Sequence, residues 1–281
     1  DGTRVYMTGV LKALHDEQGD LIGFSKVFLD DTARKHLEDA LTRSNAELEQ
    51  FALVASHDLQ EPLRTISGFA ELLSLRYRGQ LDAEADKILK FMVEAAERMG
   101  RLIADLLAYS QIAKDESSIT SVHMDEDLET AVSLLRTSLE AADAVVTHDP
   151  LPNIELNRNQ MVRLFENLLG NAIKFRKPDE PPRIHVSAER QGKEWVIRVT
   201  DNGIGFPPEH AETICAPFRR LHTAREYPGS GIGLAACKRI VDCYGGRIGA
   251  ESRPGEGSTF WFTVPVSAAD QDRFHSQNAP G

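Results

Sequence analysis

Long hydrophobic runs are missing: no stretch approaches the ~18 apolar residues of a membrane-spanning helix, and no secretory signal pattern is present. Cysteine is scarce, with three in 281 residues, at Cys215, Cys237 and Cys243. The number is odd and no CxxC occurs, which argues against a disulfide framework or a thiolate metal site and predicts buried thiols in a reducing, cytoplasmic setting. Positive charge does not predominate: 32 basic residues stand against 43 acidic ones, a net charge of −11. Such a balance argues against non-specific nucleic-acid binding and against docking on an anionic membrane. A Walker A string is also absent. What is present, 41% hydrophobic and 27% charged residues, is an ordinary globular composition with room for two modest domains. The chain opens on Asp1 in mid-pattern, so it is expected to be part of a longer protein, with room for a membrane segment upstream.

Periodicity divides the chain. Within residues 1–31, Val5 to Leu11 and Leu21 to Leu29 read as strands around an Asp16–Asp20 turn. That hairpin is too small to stand alone. From Thr32 the period becomes helical. Leu37, Leu41, Ser44, Leu48, Phe51 and Ala55 step by four and three residues, so 32–55 reads as a coiled-coil helix. Two successive steps of four, to Leu59 and Leu63, make a stutter. Pro62 lacks the N–H that would bond the Asp58 carbonyl, and the helix is expected to be irregular beside His57. The seam resumes at Ile66, Ala70, Leu73 and Tyr77. After a turn at Gly79–Asp82, a matching stripe runs through Ile88, Met92, Ala95, Met99, Leu102, Leu106 and Tyr109. Residues 56–114 therefore predict an antiparallel helical hairpin, and its half-covered stripe predicts a homodimeric four-helix bundle. A polar linker is expected at 115–122. Residues 123–267 mix helices (Leu128–Ala141, Asn159–Phe175, Gly233–Tyr244) with strands (Ile184–Ala188, Trp195–Thr200, Arg247–Glu251, Thr259–Val264). The fold class expected there is an α/β sandwich, helices on one face of a mixed sheet. The polar tail, 268–281, is expected to be disordered.

Candidate chemistry sits at few positions. His57 lies off the seam, and Asp58 beside it can hold the imidazole neutral and take its proton. A nucleophile with an orienting base is the minimum for covalent catalysis, although a lone exposed histidine is more often surface decoration. Asn167, Asn171 and Lys174 recur on one helix face. Carboxamide oxygens suit Mg²⁺ and the lysine offers a point charge to phosphate; a solvated helix face would look the same. Asp201-Asn202-Gly203-Ile204-Gly205-Phe206 follows a strand. Its carboxylate can accept from an exocyclic amine and its glycines can let a base approach the backbone, or the string is a plain turn. Gly229 to Ala235 opens a helix, as a phosphate cradle does. Gly231 to Ala236 also matches the dinucleotide pattern G-x-G-x-x-A, but the loop-like Arg219–Pro228 stands where that pattern requires a strand.

In order, these strings resemble the boxes of sensor histidine kinases. Ser56 to Arg64 (SHDLQEPLR) resembles the phospho-acceptor box, in the variant of phytochrome-like and PAS-linked kinases. Glu166 to Phe175 resembles the N box, Asp201 to Phe206 the G1 box, Ala216 to His222 the F box and start of the ATP lid, and Gly229 to Ala235 the G2 box. Gly255 to Phe260 resembles a further glycine box; Cys215 stands where the family often has an aromatic. The resemblance covers Thr32 to Val266. It implies a dimerisation and histidine-phosphotransfer domain followed by a GHKL-type ATP-binding sandwich. It further implies autophosphorylation of His57 by ATP and transfer to an aspartate in the receiver domain of a response regulator. It makes Asn171 the principal Mg²⁺ ligand, with Asn167 and Lys174 close by, and Asp201 the reader of the adenine amine. It places Gly203, Gly205, Gly229, Gly231, Gly233, Leu234 and Thr259 around the nucleotide, Arg220 at the γ-phosphate, and Phe218 packed under the lid. Asp1-Gly2-Thr3, Gly23 to Lys26 and Asp30-Asp31-Thr32 resemble the end of a PAS sensor domain. Phosphatase activity in the family often uses Thr or Asn four residues after the histidine; Glu61 stands there, which implies weak phosphatase activity. A non-kinase GHKL ATPase and a degenerate kinase acting as a dimeric scaffold stay open as alternatives.

Overall fold

The computed structural model describes residues 5–77, 80, 82–112, 120–221, 226–227 and 229–266, with the backbone alone at 38–39, 41–42, 44–57, 83 and 120–122. The expected tail, most of the linker and the outward aim of the His57 side chain lie outside the described residues. The chain divides into two compact units, Asp1–Ala55 and Ser56–Gly281.

In the first unit, β1 (Met7–His15) pairs antiparallel with β2 (Leu21–Asp30). The Asp16 carboxylate closes their turn by accepting the amides of Gln18 (3.0 Å) and Asp20 (2.8 Å). Large apolar side chains are exposed along both strands, among them Val10, Leu11, Val27 and Phe28. The expected exit motif links the hairpin to α1 (Thr32–Tyr77): Thr32 Oγ1 accepts the Tyr6 amide at 3.0 Å, and Asp31 accepts the Thr8 hydroxyl and pairs with Arg34.

Helix α1 continues into the second unit and runs helical through Pro62, so the expected irregularity does not interrupt it. One turn on, the Thr65 hydroxyl donates to the Glu61 carbonyl (3.2 Å). Helix α2 (Ala83–Gln111) starts at Asp82, whose side chain accepts the Ala85 amide at 2.7 Å. Leu63 and Ala70 of the expected stripe are buried, as are Ala96 of α2 and, at its end, Ser110, whereas Leu59, Ile66, Leu73, Ile88, Met92 and Met99 are exposed. Within the hairpin the expected stripe is thus half covered, part of it meeting the sister helix and part facing outward.

Beyond the hairpin lies a five-stranded sheet in the order β4-β6-β7-β9-β8, from Val145–His148, Arg183–Gln191, Glu194–Asp201, Gly257–Pro265 and Ile248–Arg253. Only the β4–β6 pair is parallel. A separate pair joins β3 (Thr120–His123) to β5 (Asn153–Leu156). Residues 120–122, expected in the linker, are therefore strand. The single helix expected at Leu128–Ala141 is two, α3 (Met124–Leu134) and α4 (Arg136–Ala141), parted at Leu135. Helix α5 (Arg158–Lys174) packs on β7 and α6 (Gly233–Cys243) on β8 and β9; α3 packs on α5. Leu164, Phe165, Leu168 and Leu169 of α5 meet Ile197 of β7 and Phe262 of β9 in the core. Cys215 and Cys237 are buried, but Cys243, expected to be buried, is exposed.

Asp127 is the exception in this apolar setting. It is 1% exposed, its Oδ1 pairs with Arg158 Nε at 3.1 Å, and among the described residues its Oδ2 has no hydrogen-bond partner. Burial, outweighing the Arg158 charge, pushes its pKa up to about 6 from 3.8. The folded state thus holds a proton that the unfolded chain releases, so the wild type loses stability as pH rises from about 4 through about 6. Asp127→Asn should stabilise the fold at pH 7 by an amount on the order of 1–3 kcal/mol. Urea unfolding across that range should show the gap closing as pH falls to 4; a variant less stable at pH 7 would mean that the Arg158 pair dominates.

Candidate functional site

Helix α5 begins where Asn157 accepts the Gln160 amide through its side chain (3.3 Å). Because its apolar residues are fixed against the sheet, Arg163, Asn167, Asn171 and Lys174 are turned to the opposite side at steps of four, four and three. There they form one wall of a cavity of about 330 Å³. The far wall is the loop before α6 and its first turn, from Gly229 to Leu234, together with Arg219 and Arg220; Asp201, Gly205 and Phe206 close one end.

Asp201 ends β7 and is half-buried at the cavity. Its Oδ1 accepts two backbone amides, Gly203 at 2.8 Å and Ser258 at 3.3 Å, which fixes the carboxylate and leaves Oδ2 as the atom to meet a ligand. Burial raises its pKa against those two hydrogen bonds. Burial also lowers the pKa of Lys174, reinforced by the neighbouring positive charge of Arg220. The Lys174 ammonium lies 4.4 Å from the Phe175 ring centroid. Arg220 is held by a 2.7 Å bond from Nη2 to the Tyr227 carbonyl, and the Tyr227 and Phe175 rings are 4.9 Å apart. Two cations thus face one cavity, an arrangement that favours an anionic guest.

Close approach of side chains explains the glycines better than approach of a base. A Cβ on Gly229 would stand 2.7 Å from Lys174 Nζ, and one on Gly233 would stand 2.7 Å from Asn167 Oδ1. The Asn167 amide is oriented by its Nδ2, which donates to the Arg163 carbonyl at 2.9 Å. On the other strand end, a Cβ on Gly203 would meet the Phe175 carbonyl at 2.6 Å, and one on Gly205 the Arg253 carbonyl at 2.0 Å. Those two positions are glycine because protein backbone crosses there, a correction to the expectation that they make room for a base.

The structure brings Asn167, Asn171, Lys174, Asp201, Gly205, Arg220, Gly229, Gly231, Gly233 and Leu234 to the one cavity. Three predicted residues do not line it. Gly203 sits beneath Asp201. Phe218 is 60% exposed with φ of +61°, and most of the lid expected over it lies outside the described residues. Thr259 bonds Thr200 on the neighbouring strand (3.0 Å), and the preceding residue, Ser258, faces the cavity instead, as strand alternation demands. His57 and Asp58 belong to α1; Asp58 is exposed. Missed residues include Arg163 and Glu166 of α5, Tyr227, and Asp105 of α2. Arg163 was findable, four residues before Asn167 on the same face. Burial raises the pKa of Glu166, opposed by Arg163. Nothing in the spacing of α2 marks Asp105, which reaches the wall by tertiary packing.

Comparison with known proteins matches this geometry. The His Kinase A (phospho-acceptor) domain matches residues 47–114. The Histidine kinase-, DNA gyrase B-, and HSP90-like ATPase domain matches residues 156–268. Cyanobacterial phytochrome A of Nostoc sp. is 47% identical over 233 residues, which cover 83% of this chain and 30% of that protein. The chain thus spans less than a third of that relative's length. Among solved structures, full-length ShkA in complex with AMPPNP aligns at a TM-score of 0.59 and 24% identity, covering 79% of this chain and 47% of that one. Histidine kinase ThkA in complex with the response regulator protein TrrA aligns at 0.55 and 19% identity, covering 95% and 77%. These last two show a shared fold. A phospho-acceptor domain followed by an ATPase domain of this type, in a chain so close to a phytochrome, places it among the sensor histidine kinases.

Proposed function

We propose that this chain autophosphorylates on His57 with ATP and passes the phosphoryl group to an aspartate of a response regulator. The observation that carries the reading is the cavity itself: the half-buried Asp201 carboxylate and two neighbouring cations, Lys174 and Arg220, line it together, in a chain that also bears the acceptor helix. The nucleotide complex of ShkA and the response-regulator complex of ThkA, on the same fold, support the nucleotide and the partner.

Asp201 Oδ2 accepts the adenine amine. Lys174 and Arg220 meet the phosphates and neutralise the charge that develops on transfer. The His57 imidazole attacks the γ-phosphorus in line; a P–N bond forms, the bond to the bridging oxygen breaks, ADP departs, and Asp58 takes the imidazole proton. Positioning and electrostatics then carry the rate. The carboxamide oxygens of Asn171 and Asn167 fit Mg²⁺, a hard cation that takes few protein ligands alongside phosphate. When bound, the metal neutralises phosphate charge. The outward apolar row of the helical hairpin, Leu59, Ile66, Leu73, Ile88, Met92 and Met99, supports a homodimeric bundle. The exposed β1–β2 ribbon supports its belonging to a PAS domain, and the heptad in α1 a coiled coil.

Incubation with γ-labelled ATP should give acid-labile, alkali-stable label on the wild type and none on His57→Ala; label that persists in the variant moves the acceptor elsewhere. Lys174→Met should weaken ATP binding at least tenfold while raising Tm, because it removes a half-buried charge facing Arg220. Since burial lowers the Lys174 pKa, ATP affinity of the wild type should decline as pH rises, and at lower pH than an ordinary amine would dictate, and the variant should lack that step. Calorimetric titration and thermal scans test both; an unchanged affinity would remove Lys174 from the phosphate site.

A further inference from the structure

The carbonyls that end α2 are taken by side chains of the ATPase domain. Gln160 Nε2 donates to the Ile112 carbonyl at 2.9 Å, and Arg163 Nη1 donates to the Ala108 carbonyl at 2.8 Å. The Arg239 guanidinium lies 5.0 Å from the Tyr109 ring centroid. These groups are buried: Gln160 is 6% exposed and Ile112 4%. Helix ends leave such carbonyls unpaired, and the charge on Arg163 stands at the negative end of the α2 dipole. Gln160 is braced from behind, because its Oε1 accepts the Tyr244 hydroxyl at 2.7 Å and that hydroxyl accepts the Asn157 amide at 3.0 Å.

The height of this docking matters. Leu63 of α1 meets Gly100 of α2, with 3.9 Å to a Cβ built on the glycine. The helices run antiparallel, so six residues back from Leu63 and six on from Gly100 bring His57 level with Leu106, about 9 Å along each axis at the α-helical rise. The adjacent residue, Asp105, is in the cavity wall, as is Arg163.

We infer that Gln160 and Arg163 are positioning residues that latch the ATPase domain onto the last turn of α2, holding the nucleotide cavity level with the acceptor histidine. The inference rests on the kinase reading. Neither residue touches the reacting atoms in this role; the latch sets where the cavity stands.

Gln160→Met removes the donor to Ile112 at nearly constant volume, and Tyr244→Phe removes the brace while keeping that donor. Both should lower Tm. Only Gln160→Met should lower kcat of autophosphorylation, about tenfold, with ATP affinity within twofold of wild type. Once His57 is phosphorylated, transfer to a receiver domain should proceed at the wild-type rate in both, since that step does not use the cavity. Arg163→Lys, which still donates, should retain more kcat than Arg163→Met. Wild-type kcat in Gln160→Met, a faster rate, or an equal loss in Tyr244→Phe would overturn the latch alone. A wild type that binds ATP and labels nothing would instead overturn the kinase reading, and the role of the latch with it.

Discussion

Helix α5 has to satisfy two demands along 17 residues. Its inner row, Leu164, Phe165, Leu168 and Leu169, is at most 1% exposed and anchors the helix to the sheet. Burial of that kind stabilises by roughly 1.5–3 kcal/mol per side chain, so the helix cannot roll without losing several such contributions. The polar row is positioned by this apolar constraint rather than by its own hydrogen bonds. Asn171 and Lys174 occupy the cavity because Leu168 and Leu169 occupy the core. At the N-terminal end of the same row, Gln160 and Arg163 reach out of the domain to α2.

The facing wall is fitted to that row. Gly229 and Gly233 leave space for Lys174 and Asn167, so the loop before α6 follows the side chains of α5 closely. The same loop begins α6, whose Ala236 and Cys237 are buried against the core. A substitution at either glycine would therefore displace a cavity side chain before it disturbed the core. The position of Asp201 is likewise set from behind, by the amides of Gly203 and Ser258.

Long elements with strong periodicity were legible in the sequence: α1, α2, α5, α6 and the strands β6 to β9 lie within a few residues of where spacing placed them. Short ones were not. β3, β4 and β5 have four residues each, too few for alternation to register, and they exist because a neighbouring strand or helix holds them. Leu135 parts α3 from α4 without a proline or glycine to announce it. In the site, residues on one helix face were readable, since periodicity alone puts them together. Thr259 was misplaced by one because a glycine-rich string does not fix strand register; the pairing Asp201 with Ser258 does. On α2, spacing found an apolar row but could not tell the row that meets α1 from the row left outside, because both step by three and four.

Lys174 and Arg220 pose the remaining question, since a site built only for stability would not face two cations across a half-buried cavity. Burial disfavours the charged lysine, and Arg220 adds to that penalty. The aromatic face of Phe175 and the Tyr227 carbonyl offset part of it. What remains is a strain that a polyanion relieves on binding, so the binding free energy includes the repulsion removed. By linkage, a ligand that binds only the folded state stabilises it, by an amount that grows with the logarithm of ligand concentration once the site is filled.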